Sequence, residues 1–122
     1  MKRSAELMPL SREHHTALSL ARRILVQTDD VEILHAQVMQ RTQEILAHFR
    51  VEEEGLSPAV MQRSPGLALR LNDEHRALRD YLLRIESGDR QCLKDFAYLL
   101  QQHVRFEERE FFPAFEACMR EA

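Results

Sequence analysis

Towards its carboxyl end the chain reads His103-Val-Arg-Phe-Glu107-Glu108-Arg-Glu-Phe-Phe-Pro113, which follows the pattern His-x3-Glu-Glu-x4-Pro. The same pattern also occurs earlier in the chain, between His48 and Pro58. Residues four positions apart lie on one face of a helix, so each copy places a His and a Glu one turn apart on a shared face. The two copies predict a chain made of two similar halves.

A second signature precedes each copy of the first one. It is a Glu-His pair followed by an apolar residue, and it reads Glu13-His14-His15-Thr-Ala-Leu18 and Glu74-His75-Arg-Ala-Leu78. A segment with this signature therefore alternates with a segment that carries His and Glu together. Overall identity between the halves is low, so the predicted pseudo-two-fold repeat depends on the motif spacing.

Apolar residues recur every three or four positions over four segments, which predicts helices over about residues 11–28, 30–54, 65–86 and 89–120. Gly55 and Pro58 predict a kink or an end just past the first motif copy, although a continuation of the second helix to Gln62 stays open. Short connections favour an all-α, up-down-up-down antiparallel four-helix bundle. The expected caps and turn residues are Ser11, Asp29 with Glu32, Ser64-Pro65, and Ser87-Gly88-Asp89.

Length and composition predict one domain over residues 1–122. The formal net charge is −3 and no basic run is present, so we expect no nucleic-acid partner. No apolar stretch approaches the roughly 18 residues of a membrane span, and no membrane partner is expected. The basic Lys2 and Arg3 are not followed by an apolar segment, which favours a cytoplasmic protein. Cys92 and Cys118 are expected to be reduced thiols.

Several ionisable side chains are predicted to lie on apolar helix faces. Burying them is costly unless they bind something, and metal cations remove that cost. Imidazole and carboxylate ligands suit Fe, Mn, Zn or Co, and six ligands exceed what one tetrahedral zinc uses. A site with two metals, bridged by the two carboxylates, fits this count. The predicted metal ligands are His15, His48, Glu52, His75, His103 and Glu107.

Periodicity does not decide between His14 and His15, because either can face the bundle interior. We prefer His15 because it precedes Leu18 as His75 precedes Leu78. His35 is expected to be exposed to solvent. The second acidic residue of each motif is predicted to belong to a solvated face, and Glu44 is considered as an acceptor for the outer N–H of a ligand histidine. The five phenylalanines near the motifs are predicted to be core residues that shield the site from water.

With these residues the chain resembles the hemerythrin-like domains, the HHE cation-binding family of four-helix bundles. The resemblance implies two non-haem iron ions bridged by Glu52, Glu107 and an oxo or hydroxo group. It implies that the histidines of the predicted set are terminal ligands. Oxygen carriers of this family have a further His one turn along the third helix, where this chain has Leu71 and Arg79.

The function expected from this resemblance is a di-iron protein that binds or senses oxygen, another small oxidant or iron, with a redox or signalling protein as partner. The alternative is a small di-iron oxidoreductase that acts on peroxide, nitric oxide or oxygen, which the missing fifth histidine favours. A further alternative is a metal-free or zinc-loaded helical interaction module. Nucleophilic catalysis finds no support, since no nucleophile elbow or phosphate loop is present.

Overall fold

The computed structural model describes residues 3–121, which form helices joined by short turns. A π-helical turn, Glu107–Phe111, follows the fifth helix directly. Residues 3–121 contain no strand, so the predicted all-α class is confirmed. The helices are α1 (Met8–Val26), α2 (Val31–Gly55), α3 (Ser57–Arg63), α4 (Pro65–Glu86), α5 (Leu93–Phe106) and α6 (Phe112–Arg120).

Four long segments form the bundle, and each packs against two others. Helix α1 packs against α2 and α5, and α4 packs against the same two helices. The start of α2 lies beside the end of α4. A ring nitrogen of His35 in α2 donates there to the carbonyl of Ile85 in α4 over 2.7 Å. These two helices are therefore antiparallel, and α3 packs on α4 and α6. His35, which was predicted to be exposed, is half-buried as a result of this contact.

The core has two apolar clusters, one on each side of a polar layer. Phe49 belongs to the first cluster and stacks on the ring of His75, with the ring centroids 4.0 Å apart. Phe112 belongs to the second cluster and stacks on His14 at 5.2 Å. The polar side chains of the bundle interior are thus enclosed between apolar side chains. Within residues 3–121 no helix has the length and apolar character that a membrane span requires.

The starts of α1 and α2 both differ from the prediction. Asp30, not Asp29, caps α2, because its Oδ1 accepts the backbone N–H groups of Glu32 at 2.8 Å and Ile33 at 3.1 Å. Helix α1 begins at Met8, one turn before the predicted cap Ser11, because Pro9 fits the first turn of a helix.

The turn between α4 and α5 follows the prediction at Gly88, but α5 begins at Leu93 and not at about residue 89, so Asp89 does not cap this helix. Gly88 adopts a left-handed conformation with φ of 105°, which a residue with a side chain rarely adopts. Its N–H donates to the carbonyl of Ile85 over 3.0 Å. Asp89 Oδ1 then accepts the N–H of Gln91 at 2.8 Å and that of Cys92 at 3.2 Å.

The proline of each motif copy accompanies a break in the helix. Helix α2 ends at Gly55, and Pro58 lies in the first turn of α3. Pro113 lies just after the π-helical turn, in which the N–H of Phe112 donates to the carbonyl of Glu107. Proline lacks an N–H and its ring collides with the carbonyl four residues before it, so a regular α-helix is disfavoured there. The single helix predicted over about residues 89–120 is interrupted for this reason.

We expect Asp30→Ala to lower the free energy of unfolding by about 1 kcal/mol, because two N–H groups of α2 lose their acceptor. Asp29→Ala is the matched control, and its loss should stay within about 0.5 kcal/mol. Urea unfolding of the metal-free chains measures both. Equal losses for the two variants would contradict the assignment of the cap.

Candidate metal centre

Six polar side chains meet between the two apolar clusters, and each of them is buried. Each long segment of the bundle contributes one histidine to this cluster. Helix α2 and the π-helical turn each add a glutamate. The cluster consists of His14, His48, Glu52, His75, His103 and Glu107. Five of these six residues were predicted from the sequence.

The sixth position corrects the choice between two adjacent histidines. His14 is buried, and its Nε2 lies 3.2 Å from Nε2 of His48. His15 is exposed on the outer face of α1 and is not part of the cluster. His15 was preferred because the spacing from His15 to Leu18 equals that from His75 to Leu78. The two leucines are not equivalent in the structure, since Leu18 is only half-buried whereas Leu78 is fully buried.

The sequence did contain a signal for His14. The pair Glu13-His14 aligns directly with Glu74-His75, and this alignment selects the first of the two histidines. The buried stripe of α1 agrees with it, since Leu10 lies one turn before His14. Aligning the charged pair is therefore more informative than aligning the apolar residue that follows.

The Nε2 atoms of the four histidines point at the two carboxylates. Glu52 lies between His48, with Nε2 at 2.9 Å, and His75, with Nε2 at 3.1 Å. Glu107 lies between His103, with Nε2 at 2.7 Å, and His14, with Nε2 at 3.4 Å. Each glutamate therefore faces histidines from two helices.

These atoms form two groups that could each hold a metal ion. One group contains His14 and His48, and the other contains His75 and His103. Glu52 and Glu107 belong to both groups, and the ligand atoms within each group lie within 4.8 Å of one another. The two groups share their carboxylates, as ligands that bridge two metal ions do.

The outer nitrogen of each histidine faces a further glutamate. An ionised carboxylate can only accept a hydrogen bond, so each Nδ1 donates its proton, and on a neutral ring Nε2 then has its lone pair towards the cluster. The pairs are His14 with Glu108 at 2.6 Å, His48 with Glu13 at 2.7 Å, His75 with Glu53 at 2.7 Å, and His103 with Glu74 at 2.6 Å. We call these four glutamates the outer carboxylates.

Each outer carboxylate is adjacent in sequence to a cluster residue but holds a histidine of a neighbouring segment. Glu13 of α1 holds His48 of α2, and Glu53 of α2 holds His75 of α4. The same relation continues from α4 to α5, and from the π-helical turn back to α1. The Glu-His and Glu-Glu pairs of the motifs therefore encode a closed ring around the bundle.

Sequence reasoning missed this ring. Glu53 and Glu108 were expected on a solvated face, yet both contact histidines of the cluster. Glu44, considered for that role, is exposed and pairs with Arg41 at 3.1 Å. The repeated Glu-Glu pair was the available signal, because a solvated face does not require its second glutamate at the same place in both copies.

The pKa is lowered at three of the outer carboxylates, Glu53, Glu74 and Glu108. Burial would raise the pKa of Glu108, but hydrogen bonds from His14 and Ser11 outweigh it and lower that pKa to about 2. Burial likewise opposes the lowered pKa of Glu53, where hydrogen bonds from Arg79 and His75 prevail. An ionised acceptor at Nδ1 makes the imidazole a better ligand through Nε2.

The inner carboxylates have buried atoms that are not satisfied by hydrogen bonds. Both oxygens of Glu52 and of Glu107, and Nε2 of His75 and His103, lack a hydrogen-bond partner of acceptable geometry. Unpaired buried polar atoms cost free energy, and a buried charge costs more. A cation among these atoms would remove that cost, so the donor set fits a metal.

The electrostatics of the cluster also favour positive charge. Burial and the facing carboxylate of Glu107 raise the pKa of Glu52. Burial would lower the pKa of His14, but the nearby carboxylate of Glu107 and the hydrogen bond with Glu108 outweigh it and raise that pKa to about 10. Burial is likewise outweighed at His103, where Glu107 raises the pKa to about 9. The cluster therefore attracts cations, either as protons on these rings or as metal ions.

The place of the fifth histidine of oxygen carriers is not occupied by another ligand. Leu71 is fully buried in the second apolar cluster. Arg79 pairs with Glu53 over 2.7 and 2.8 Å. Over residues 3–121, no further His, Cys, Asp or Glu joins the two groups.

A small cavity lies beside the cluster. Its volume is about 60 Å³, and it reaches His14, His48 and Glu107 from the space between α1, α2 and α5. Most of its other walls are apolar, including Leu20 and Val104. The cavity also reaches His103 and Phe49, whereas His75 lies outside it with the ring of Phe49 stacked on it. The two groups thus have the same kinds of side chain, and His75 is the histidine that the cavity does not reach.

A comparison with protein families agrees with this site. The family model described as Hemerythrin HHE cation binding domain matches residues 9–115. Searches of curated proteins and of solved structures gave no significant match. The family match spans most of the 122 residues and includes all six cluster residues. The chain therefore belongs to the hemerythrin HHE cation-binding domain family.

Proposed function

We propose that this protein is a non-haem di-iron protein that binds or senses oxygen, another small oxidant or iron. The observation that supports it is the pair of four-residue groups that share Glu52 and Glu107. Imidazole and carboxylate together suit iron better than they suit Mg or Ca, and membership of the family implies cation binding.

In this proposal each residue of the cluster has a defined task. His14 and His48 hold one iron, His75 and His103 hold the other, and the two glutamates offer one oxygen to each. Two iron ions bound here would supply Lewis acidity and one-electron redox chemistry. The outer carboxylates keep each Nδ1 protonated and so direct Nε2 to the metal.

The size and the walls of the cavity favour a small and uncharged ligand. A volume of about 60 Å³ has room for a molecule the size of a few waters. Apolar side chains such as Leu20, Ile45 and Val104 form much of its wall, and this part of the wall suits an uncharged molecule better than a hydrated ion. Oxygen and nitric oxide satisfy both conditions.

A second candidate function is a small oxidoreductase that acts on peroxide, nitric oxide or oxygen. The observation that favours it is the buried Leu71 in place of a fifth histidine ligand. With two histidines, the two shared glutamates and a bridging oxygen, each of two octahedral ions would keep one position free for a small molecule. Phe49 and Phe112 exclude water beside the cluster, which limits loss of reactive species.

Iron analysis and an absorption spectrum test the first proposal. We expect about two iron ions per chain after reconstitution, with visible absorption that bleaches on anaerobic reduction. Glu52→Ala should lose the two-iron spectrum, because it removes an oxygen from both groups. Glu44→Ala is the control, since Glu44 pairs only with Arg41 at the surface.

Zinc, a single metal or no metal after this reconstitution would contradict the di-iron proposal. Those results would support the reading as a helical interaction module. A two-iron spectrum that survives Glu52→Ala would show that the shared carboxylate is not a bridge.

A pair of adjacent substitutions tests the ligand assignment. His14→Ala should weaken iron binding by more than the about 10–100-fold that is typical for loss of an outer partner. His15→Ala should leave iron content and spectrum unchanged, because its side chain is exposed. Competition with a calibrated chelator measures both affinities. The opposite pattern would restore His15 as the ligand.

Turnover with excess reductant separates the two candidate functions. A binding or sensing protein is expected to react with the oxidant at most once per iron pair even when reductant is present, because it does not catalyse the further reduction of the oxidant. Many equivalents of peroxide, nitric oxide or oxygen consumed per chain would favour the oxidoreductase. The Glu52→Ala chain serves as the background rate.

A further inference from the structure

Three of the outer carboxylates are held in place by a second, cationic partner. Arg79 pairs with Glu53 over 2.7 Å, and Arg70 pairs with Glu74 over 2.9 Å. Glu108 accepts from Arg3 over 3.1 Å and from the hydroxyl of Ser11 over 2.8 Å. These contacts orient the three carboxylates independently of their hydrogen bonds with the histidines.

The fourth outer carboxylate, Glu13, is different. Its side chain is 58% exposed, and within residues 3–121 it makes no hydrogen bond or ion pair other than the one to His48. The nearby cation Arg41, which also lines the cavity, is paired with Glu44. Water competes for an exposed carboxylate, so its hydrogen bond is expected to break more readily than the other three.

His48 is also the least confined of the four histidines. His14 is stacked on Phe112, and His75 is stacked on Phe49. His48 meets Phe49 only edge-on, with the centroids 6.4 Å apart, and its side chain is 8% exposed. The cavity lies against this ring as it does against His14 and His103, but only His48 has an exposed carboxylate, Glu13, as its outer partner.

We propose that the Glu13–His48 pair is the place where one iron position exchanges its metal with solution. Glu13 acts as a positioning residue that sets the exchange rate of the position held by His14 and His48. The position held by His75 and His103 retains its metal, because Glu53 and Glu74 are anchored by arginines. This inference rests on the proposed di-iron function. It specifies that the occupancy of one of the two iron positions follows the iron supply.

The rate of iron removal tests this inference. The iron-loaded protein is reduced and mixed with excess chelator, and release is followed with time at constant pH. We expect two phases of about one iron each. Glu13→Ala should speed the fast phase by about 10–100-fold and leave the slow phase unchanged. Glu44→Ala, which removes an exposed carboxylate from the same cavity rim, should change neither.

Proton NMR of the zinc-loaded protein supplies a readout that a structural role of Glu13 would not move. The four Nδ1–H groups that face carboxylates should give separate downfield signals. Glu13→Ala should remove the His48 signal alone, and Glu13→Gln should retain it, because its amide oxygen still accepts the proton. The urea midpoint of the metal-free chain should not change, since the side chain is exposed.

The outcomes separate the inference from the function on which it rests. If the chain never takes up two iron ions, the proposed function is contradicted before any release rate is measured. Release of both irons in one phase from the parent chain would overturn only the inference. Equal acceleration of both phases by Glu13→Ala, or loss of the NMR signal in Glu13→Gln as well, would also overturn it.

Discussion

The structure depends on two carboxylates that are buried between apolar clusters. Taking an ionised carboxylate out of water costs several kcal/mol even after the protein relaxes, and here Glu52 and Glu107 also face each other. The bundle offsets this cost with four imidazoles, each supplied by a different segment. A cation shared by the two carboxylates completes the compensation. The apolar clusters on both sides then keep water from competing for the same atoms.

The ring of outer carboxylates turns this local requirement into a constraint on the fold. Each ring contact joins one long segment to the next, so the four segments must share one axial register. A shift by one residue rotates a helix by about 100° and moves its side chains away from the cluster. Such a shift in α2 would remove Glu52 from the centre and Glu53 from His75 together. Fully satisfied polar networks of this kind specify one packing arrangement among several apolar ones.

Features that depend on residue spacing within one helix could be predicted from the sequence. The His48–Glu52 spacing predicted a shared face, and the class of fold followed from the apolar periodicity. Contacts between helices depend on rotation and axial offset, which spacing does not determine. Glu44 was considered for His48 because it lies one turn away on the same helix, whereas the actual partner, Glu13, belongs to α1. The π-helical turn before Pro113 was also missed, since a proline is accommodated in several ways and tertiary packing decides among them.

A repeated motif has here produced two sites that are alike in ligands and unlike in access. Both groups contain two histidines and the same two glutamates, so their ligand chemistry is equal. Their surroundings differ because the outer partner of His48 is exposed while Phe49 covers His75, although the cavity reaches His103 as well as His48. In the proposed function one iron then meets small molecules and exchanges with solution, while its neighbour stays enclosed. The enclosed ion would preserve the shared carboxylates in place, so that the accessible position is rebuilt each time iron returns.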